Sequence, residues 1–159
     1  MLGPGALPAT DPVAVSWQDP ARFDEVRYNR GLSFTQRDAT QWLPPLAEHL
    51  RESASKRLGP GQTLDIEILN VDLAGEYEPW RGANTQEVRV MRDIYAPRMT
   101  LQFTWRDPTG DVIASGERKI TDLDFLLGSR PLDSDRLRFE KRMIDNWTRR
   151  EFTRELAAR

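Results

Sequence analysis

Met99, Leu101, Phe103 and Trp105 alternate strictly with Thr100, Gln102, Thr104 and Arg106. Side chains of one parity share a face of a β-strand, so this segment must set four large apolar groups against a core and four polar ones on the opposite side. Asp107-Pro108-Thr109-Gly110 follows as a turn sequence, and Val112 to Ile120 returns as the partner strand. A hairpin with one wet face requires an antiparallel sheet whose other face is covered by something apolar.

Two helical patterns supply that cover. Leu43, Leu46, Ala47, Leu50, Ala54 and Leu58 fall on about a third of a helical wheel, the width of a core-facing stripe. Pro44-Pro45 predicts either that this helix starts there, with a proline in its first turn, or that a short turn from Asp38 is kinked onto it; Gly59-Pro60-Gly61 stops it. Near the C-terminus, Leu137, Phe139, Met143, Ile144 and Trp147 share one broad face of a second helix within 133–157. Phe152 and Leu156 rotate onto its polar side, which directs that end toward some other contact.

The remaining strands are shorter signals. Val13-Ala14-Val15-Ser16-Trp17 alternates before the turn Gln18-Asp19-Pro20, and residues 21–38 read as irregular. Leu64, Ile66 and Ile68 form a third alternating run, but Val71 and Leu73 continue on the opposite parity across Asn70. Such a switch predicts a bulge or a bend just before the following loop. The order strand-helix-strand-strand-strand-helix predicts an α+β fold, with a mainly antiparallel sheet of about four strands and two helices on one face. Residues 13–157 form one domain, and residues 1–12 read as a disordered N-terminal tail or the remnant of a leader, with Ala9 as a small residue at a cleavage site.

Composition narrows the function classes. At 159 residues the chain is long enough for one unstapled core. A formal charge of −2 offers no global field for polyanions. The most basic region, residues 133–159, sets eight basic side chains against six acidic ones, too weak a stripe to track phosphates, so no nucleic-acid partner is expected. Absence of cysteine removes disulfides, thiolate catalysis and zinc ribbons together. No run approaches the ~20 apolar residues of a transmembrane helix. There is no phosphate-binding glycine fingerprint, nucleophile elbow or zinc-protease motif, so neither a cofactor nor a catalytic residue is assigned. His49, the single histidine, lies beyond the apolar arc of its helix and is expected to be solvated.

The segment most suggestive of function is Val71 to Arg81, where a strand runs into a loop crowded with carboxylates, aromatics and an arginine. Asp72, Glu76, Tyr77, Glu78, Trp80, Arg81, Arg92 and Asp93 are the candidate binding residues. Asp72, Glu76, Glu78 and Asp93 are hard oxygen donors, but they lack the regular ligand spacing of a calcium loop, and no metal is assigned. Their mixture with Arg81, Arg89, Arg92 and Arg98 equally fits a salt-bridge network that pins the loop. Tyr77 and Trp80 are suited either to anchoring a partner or to covering one end of the core.

Val71 to Gly82, Val88 to Arg98, Asp122 to Leu126, Arg138-Phe139-Glu140-Lys141 and Trp147 to Phe152, together with Asp19-Pro20-Ala21-Arg22-Phe23, occur in the order that resembles the bacterial family named domain of unknown function 3016. The likeness runs from about Val13 to Phe152. It implies a small exported protein, periplasmic or secreted, and brings across no catalytic residue. The leading functional expectation is a non-enzymatic exported domain that binds a protein partner of the cell envelope through its 72–98 loop. A small-ligand or divalent-cation binder using that loop, and a hydrolase working with paired carboxylates, are the alternatives.

Overall fold

A computed structural model describes residues 3–27, 33–74, 76–77, 89–90, 96–123, 135 and 137–157. Among these residues, seven strands and three α-helices follow in chain order: β1 (Gly5–Ala6), β2 (Val13–Trp17), α1 (Asp24–Arg27), α2 (Ser33–Ser55), β3 (Thr63–Asp72), β4 (Glu76–Tyr77), β5 (Arg89–Val90), β6 (Arg98–Arg106), β7 (Val112–Thr121) and α3 (Arg138–Ala157). The main sheet has the order β1-β2-β3-β6-β7, and β4 and β5 form a separate two-stranded ribbon.

The α+β class and the four long strands are as expected, with two differences. The sheet is mixed: β2 runs parallel to β3, with Val15 beside Ile66, while its other pairings are antiparallel. Parallel neighbours need a crossover, and α2 provides it. A fifth strand comes from the N-terminal segment expected to be a tail. Gly5 and Ala6 pair with Trp17 and Ser16, the Leu7 N–H donates to the Val15 carbonyl at 3.0 Å, and the Trp17 indole donates to the Gly3 carbonyl at 3.2 Å.

One sheet face carries the core. Val13 and Val15, Leu64, Ile66 and Ile68, and Met99, Leu101, Phe103 and Trp105 are all buried there, against Leu43, Leu46, Ala47 and Leu50 of α2 and Met143, Ile144 and Trp147 of α3. The opposite face presents Ala14, Asp65, Gln102, Glu117 and Lys119 to solvent. The expected hairpin is present, with Met99 facing Ile120 and Trp105 facing Ala114. The parity switch in β3 is a bulge: Ile68 faces Leu101 and Asn70 faces Thr100, so Leu69 is the extra residue and Val71 is returned to the core.

The helices depart further from expectation. Residues 21–38 are not irregular throughout, since a 3-10 turn at Pro20–Arg22, the short α1 and the first turns of α2 lie within them. Pro44 and Pro45 sit inside α2 instead of starting it. The N–H groups they lack are those that would have reached the carbonyls of Thr40 and Gln41, both exposed residues, where loss of a backbone donor costs little. Phe152 is on the core side of α3, not its polar side: it is 0% exposed and meets Trp105, Phe103 and Trp147 edge-on at 5.1, 6.1 and 5.5 Å between ring centroids. The buried face of α3 is wider than its apolar residues suggest, because Glu140, Thr148 and Glu151 are buried with it.

Candidate functional site

The strands β3 and β6 end side by side, with Asp72 directly opposite Arg98. Between those two positions the chain makes the excursion that contains the ribbon, in which Glu76 faces Val90 and Tyr77 faces Arg89. What the expected loop contains is therefore at least partly a β-ribbon.

The foot of the ribbon is held by buried carboxylates. Glu25 of α1 accepts the Leu73 N–H at 2.9 Å, and Glu140 in the first turn of α3 accepts the Ala74 N–H at 2.6 Å. Both side chains are nearly sealed from solvent, Glu25 at 3% and Glu140 at 2% exposure. Burying a carboxylate carries a large desolvation cost, which charge-assisted bonds to backbone amides partly offset. Two consecutive amides at one foot thus engage two acids from different helices. Ala74, Ala96 and Phe139 form a small buried cluster of their own, so both ends of the excursion pack on the same aromatic ring. The Arg138 guanidinium covers that ring at 4.3 Å from its centroid.

The bulge contributes a second tether. Asn70 accepts the Asp24 N–H at 2.7 Å and donates its amide to the Asp24 carboxylate at 2.9 Å, a reciprocal pair joining α1 to β3. At the start of α3 the Asp135 carboxylate accepts the Leu137 N–H at 2.9 Å and the Lys141 ammonium at 2.7 Å. The bond from Lys141 holds its carboxyl below the usual aspartate range, against the opposing effect of partial burial.

Of the candidate binding residues, Asp72 is half-buried and engaged with a partner, and Glu76 and Tyr77 are placed by their backbones in β4. Glu78, Trp80, Arg81, Arg92 and Asp93 lie outside the described residues. Sequence reasoning did not single out Glu25 or Glu140 as functional. Glu140 stands within one of the blocks that carry the family resemblance, and that was its only signal. Both acids accept peptide N–H groups and so hold the foot of the ribbon to the helices.

His49 corrects another expectation. It is partly buried, and its Nε2 lies 2.8 Å from Asp145 of α3, bridging the two long helices. The Ser53 and Thr148 hydroxyls meet at 2.8 Å in the same seam. The charges of α3 also reach other elements as well as their own helix: Arg142 bonds Asp122 at 2.8 Å, and Glu151 accepts from Arg118 of β7 at 2.6 Å.

No helix among the described residues is long and apolar enough to cross a membrane. No curated protein and no solved structure matches the chain. One family profile does match, over residues 11–150 and so over nearly the whole sheet-and-helix unit with its ribbon feet. The chain belongs to the family described as Protein of unknown function (DUF3016).

Proposed function

We propose that this protein is a small non-enzymatic exported domain, periplasmic or secreted, that binds a protein partner of the cell envelope through the ribbon between Asp72 and Arg98. The observation that carries this reading is the construction of the ribbon's feet. Two buried glutamates and a shared aromatic contact fix where the excursion leaves and rejoins the sheet. Rigid scaffolds that hold an excursion at its base are suited to presenting it, because less ordering entropy remains to be lost on binding. The sequence of the excursion adds Tyr77, Trp80 and Arg81, residue types enriched at binding hot spots. Export is supported by the resemblance of the sequence blocks to a family of exported proteins.

The test is site-specific photo-crosslinking in the native bacterium, with the reactive group placed at Tyr77 or, as a control, at Gln102 on the wet sheet face. A discrete adduct from position 77 in the osmotic-shock fraction, lost in the Glu76→Ala/Glu78→Ala/Arg81→Ala variant and absent from position 102, is the expected result. Equal labelling from both positions, or a protein retained wholly in the cytoplasm, would overturn the reading.

A further inference from the structure

The outer edge of β7 has no strand partner among the described residues, since the sheet order ends β3-β6-β7. At the other margin β1 is two residues long, whereas β7 runs for ten. In a strand paired on one side only, alternate residues turn N–H and C=O groups outward, where another strand can take them up. Charges along such an edge ordinarily repel a newcomer. In β7 they are arranged to match a second copy of the same strand. Ser115, Glu117, Lys119 and Thr121 face Thr104, Gln102, Thr100 and Arg98 across the ladder with β6, which puts all four on the open side of the sheet, and all four are exposed.

We propose that the protein forms a two-fold dimer in which β7 pairs antiparallel with β7 of a second copy, Arg118 standing opposite its counterpart, so that two five-stranded sheets become one of ten. In that register Glu117 lies opposite Lys119 of the second copy and Ser115 lies opposite Thr121, each pair occurring twice. Sliding the strands by one repeat of the pleat in either direction sets Glu117 against Glu117 or Lys119 against Lys119. The charges therefore select one alignment and penalise its neighbours. On the helix side of the sheet the two Arg118 side chains approach each other, but each is bonded to Glu151 at 2.6 Å and lies over Phe103 at 5.0 Å, which compensates its charge; its Nη1 also donates to the Glu117 carbonyl at 3.1 Å, a bond that pairing through that carbonyl displaces. The bulge in the hairpin falls at Ile113, outside the stretch that pairs, so the ladder from Ala114 to Thr121 runs without a register shift, its one positive-φ residue being Gly116. This inference does not depend on what the ribbon binds.

Sedimentation equilibrium of the full chain between about 10 and 200 µM is the test, with far-UV circular dichroism to confirm that each variant folds. The wild type should sediment as a reversible dimer. Lys119→Glu, which sets acid against acid twice, should weaken it by at least about tenfold, and Glu117→Lys/Lys119→Glu, which exchanges the charges, should restore it. As the chain has no cysteine, a mixture of Glu117→Cys and Lys119→Cys proteins should form an interchain disulfide that neither protein forms alone. A wild type monomeric throughout the range, a dimer indifferent to Lys119→Glu, or a charge exchange that fails to restore association would each overturn the proposal.

Discussion

Trp105 and Asp135 show how much a single side chain carries here. Trp105 is sealed in the core, and its indole N–H donates at 3.2 Å to the Gln62 Oε1, which also accepts the Gly59 N–H at 2.7 Å. Trp105→Ala leaves a large void and removes that donor, and should cost about 3 to 5 kcal/mol in urea unfolding; a loss below about 1 kcal/mol would contradict the packing. Asp135 acts through charge. Its folded-state carboxyl is held below the usual aspartate value, chiefly because Lys141 donates to it. The unfolded chain therefore binds this proton first, so the contribution is complete above the unfolded value near pH 4 and is lost as pH falls through the lower folded one. Stability curves of wild type and Asp135→Asn should thus be separated at neutral pH and converge on acidification. The separation should be small, since the carboxylate is 40% exposed and solvent screens the pair. The importance of Trp105 was legible from its place in an alternating strand, whereas the bond between Asp135 and Lys141 depends on how the chain turns into α3.

At the scale of elements, strands were easier to read than helices. Alternation marks a strand even when only half of it is buried, and a single extra residue, Leu69, announced itself as a change of parity. A helical wheel instead assumes that polar residues face water. That assumption fails for α3, where Glu140 accepts the Ala74 N–H, Thr148 meets Ser53, and Glu151 accepts from Arg118, all within the buried stripe. Counting these as buried brings Phe152 onto the core side. Phe152→Ala should accordingly cost about 3 to 5 kcal/mol, a loss that urea unfolding would show directly. His49 was misread for a related reason, because Asp145 is supplied by the other helix and is 96 residues away in sequence.

For the molecule as a whole, the ribbon and the sheet differ in their energetic roles. The core cluster contains side chains of β2, β3, β6, β7, α2 and α3, while the ribbon's feet rest on a separate small cluster. Replacing residues 78–88 by a two-residue turn between Tyr77 and Arg89 should therefore change the unfolding free energy by no more than about 1 kcal/mol, because closing a shorter loop costs less entropy. Glu25→Ala/Glu140→Ala should cost more, about 2 to 6 kcal/mol, through the loss of two charge-assisted bonds to the Leu73 and Ala74 amides; urea unfolding of both variants provides the comparison. Local pattern was enough to establish the α+β class, the β6–β7 hairpin and the β3 bulge, since each rests on periodicity between near neighbours. Tertiary structure alone decided that β2 lies parallel to β3, that the N-terminal segment adds a strand, and that Glu25 and Glu140 meet at one foot. The parallel pairing and the two glutamate bonds join residues 48 to 66 positions apart, and a long-range partner leaves no period in the chain by which it could be recognised; β1 pairs with nearby β2 but is only two residues long, too short to show a period.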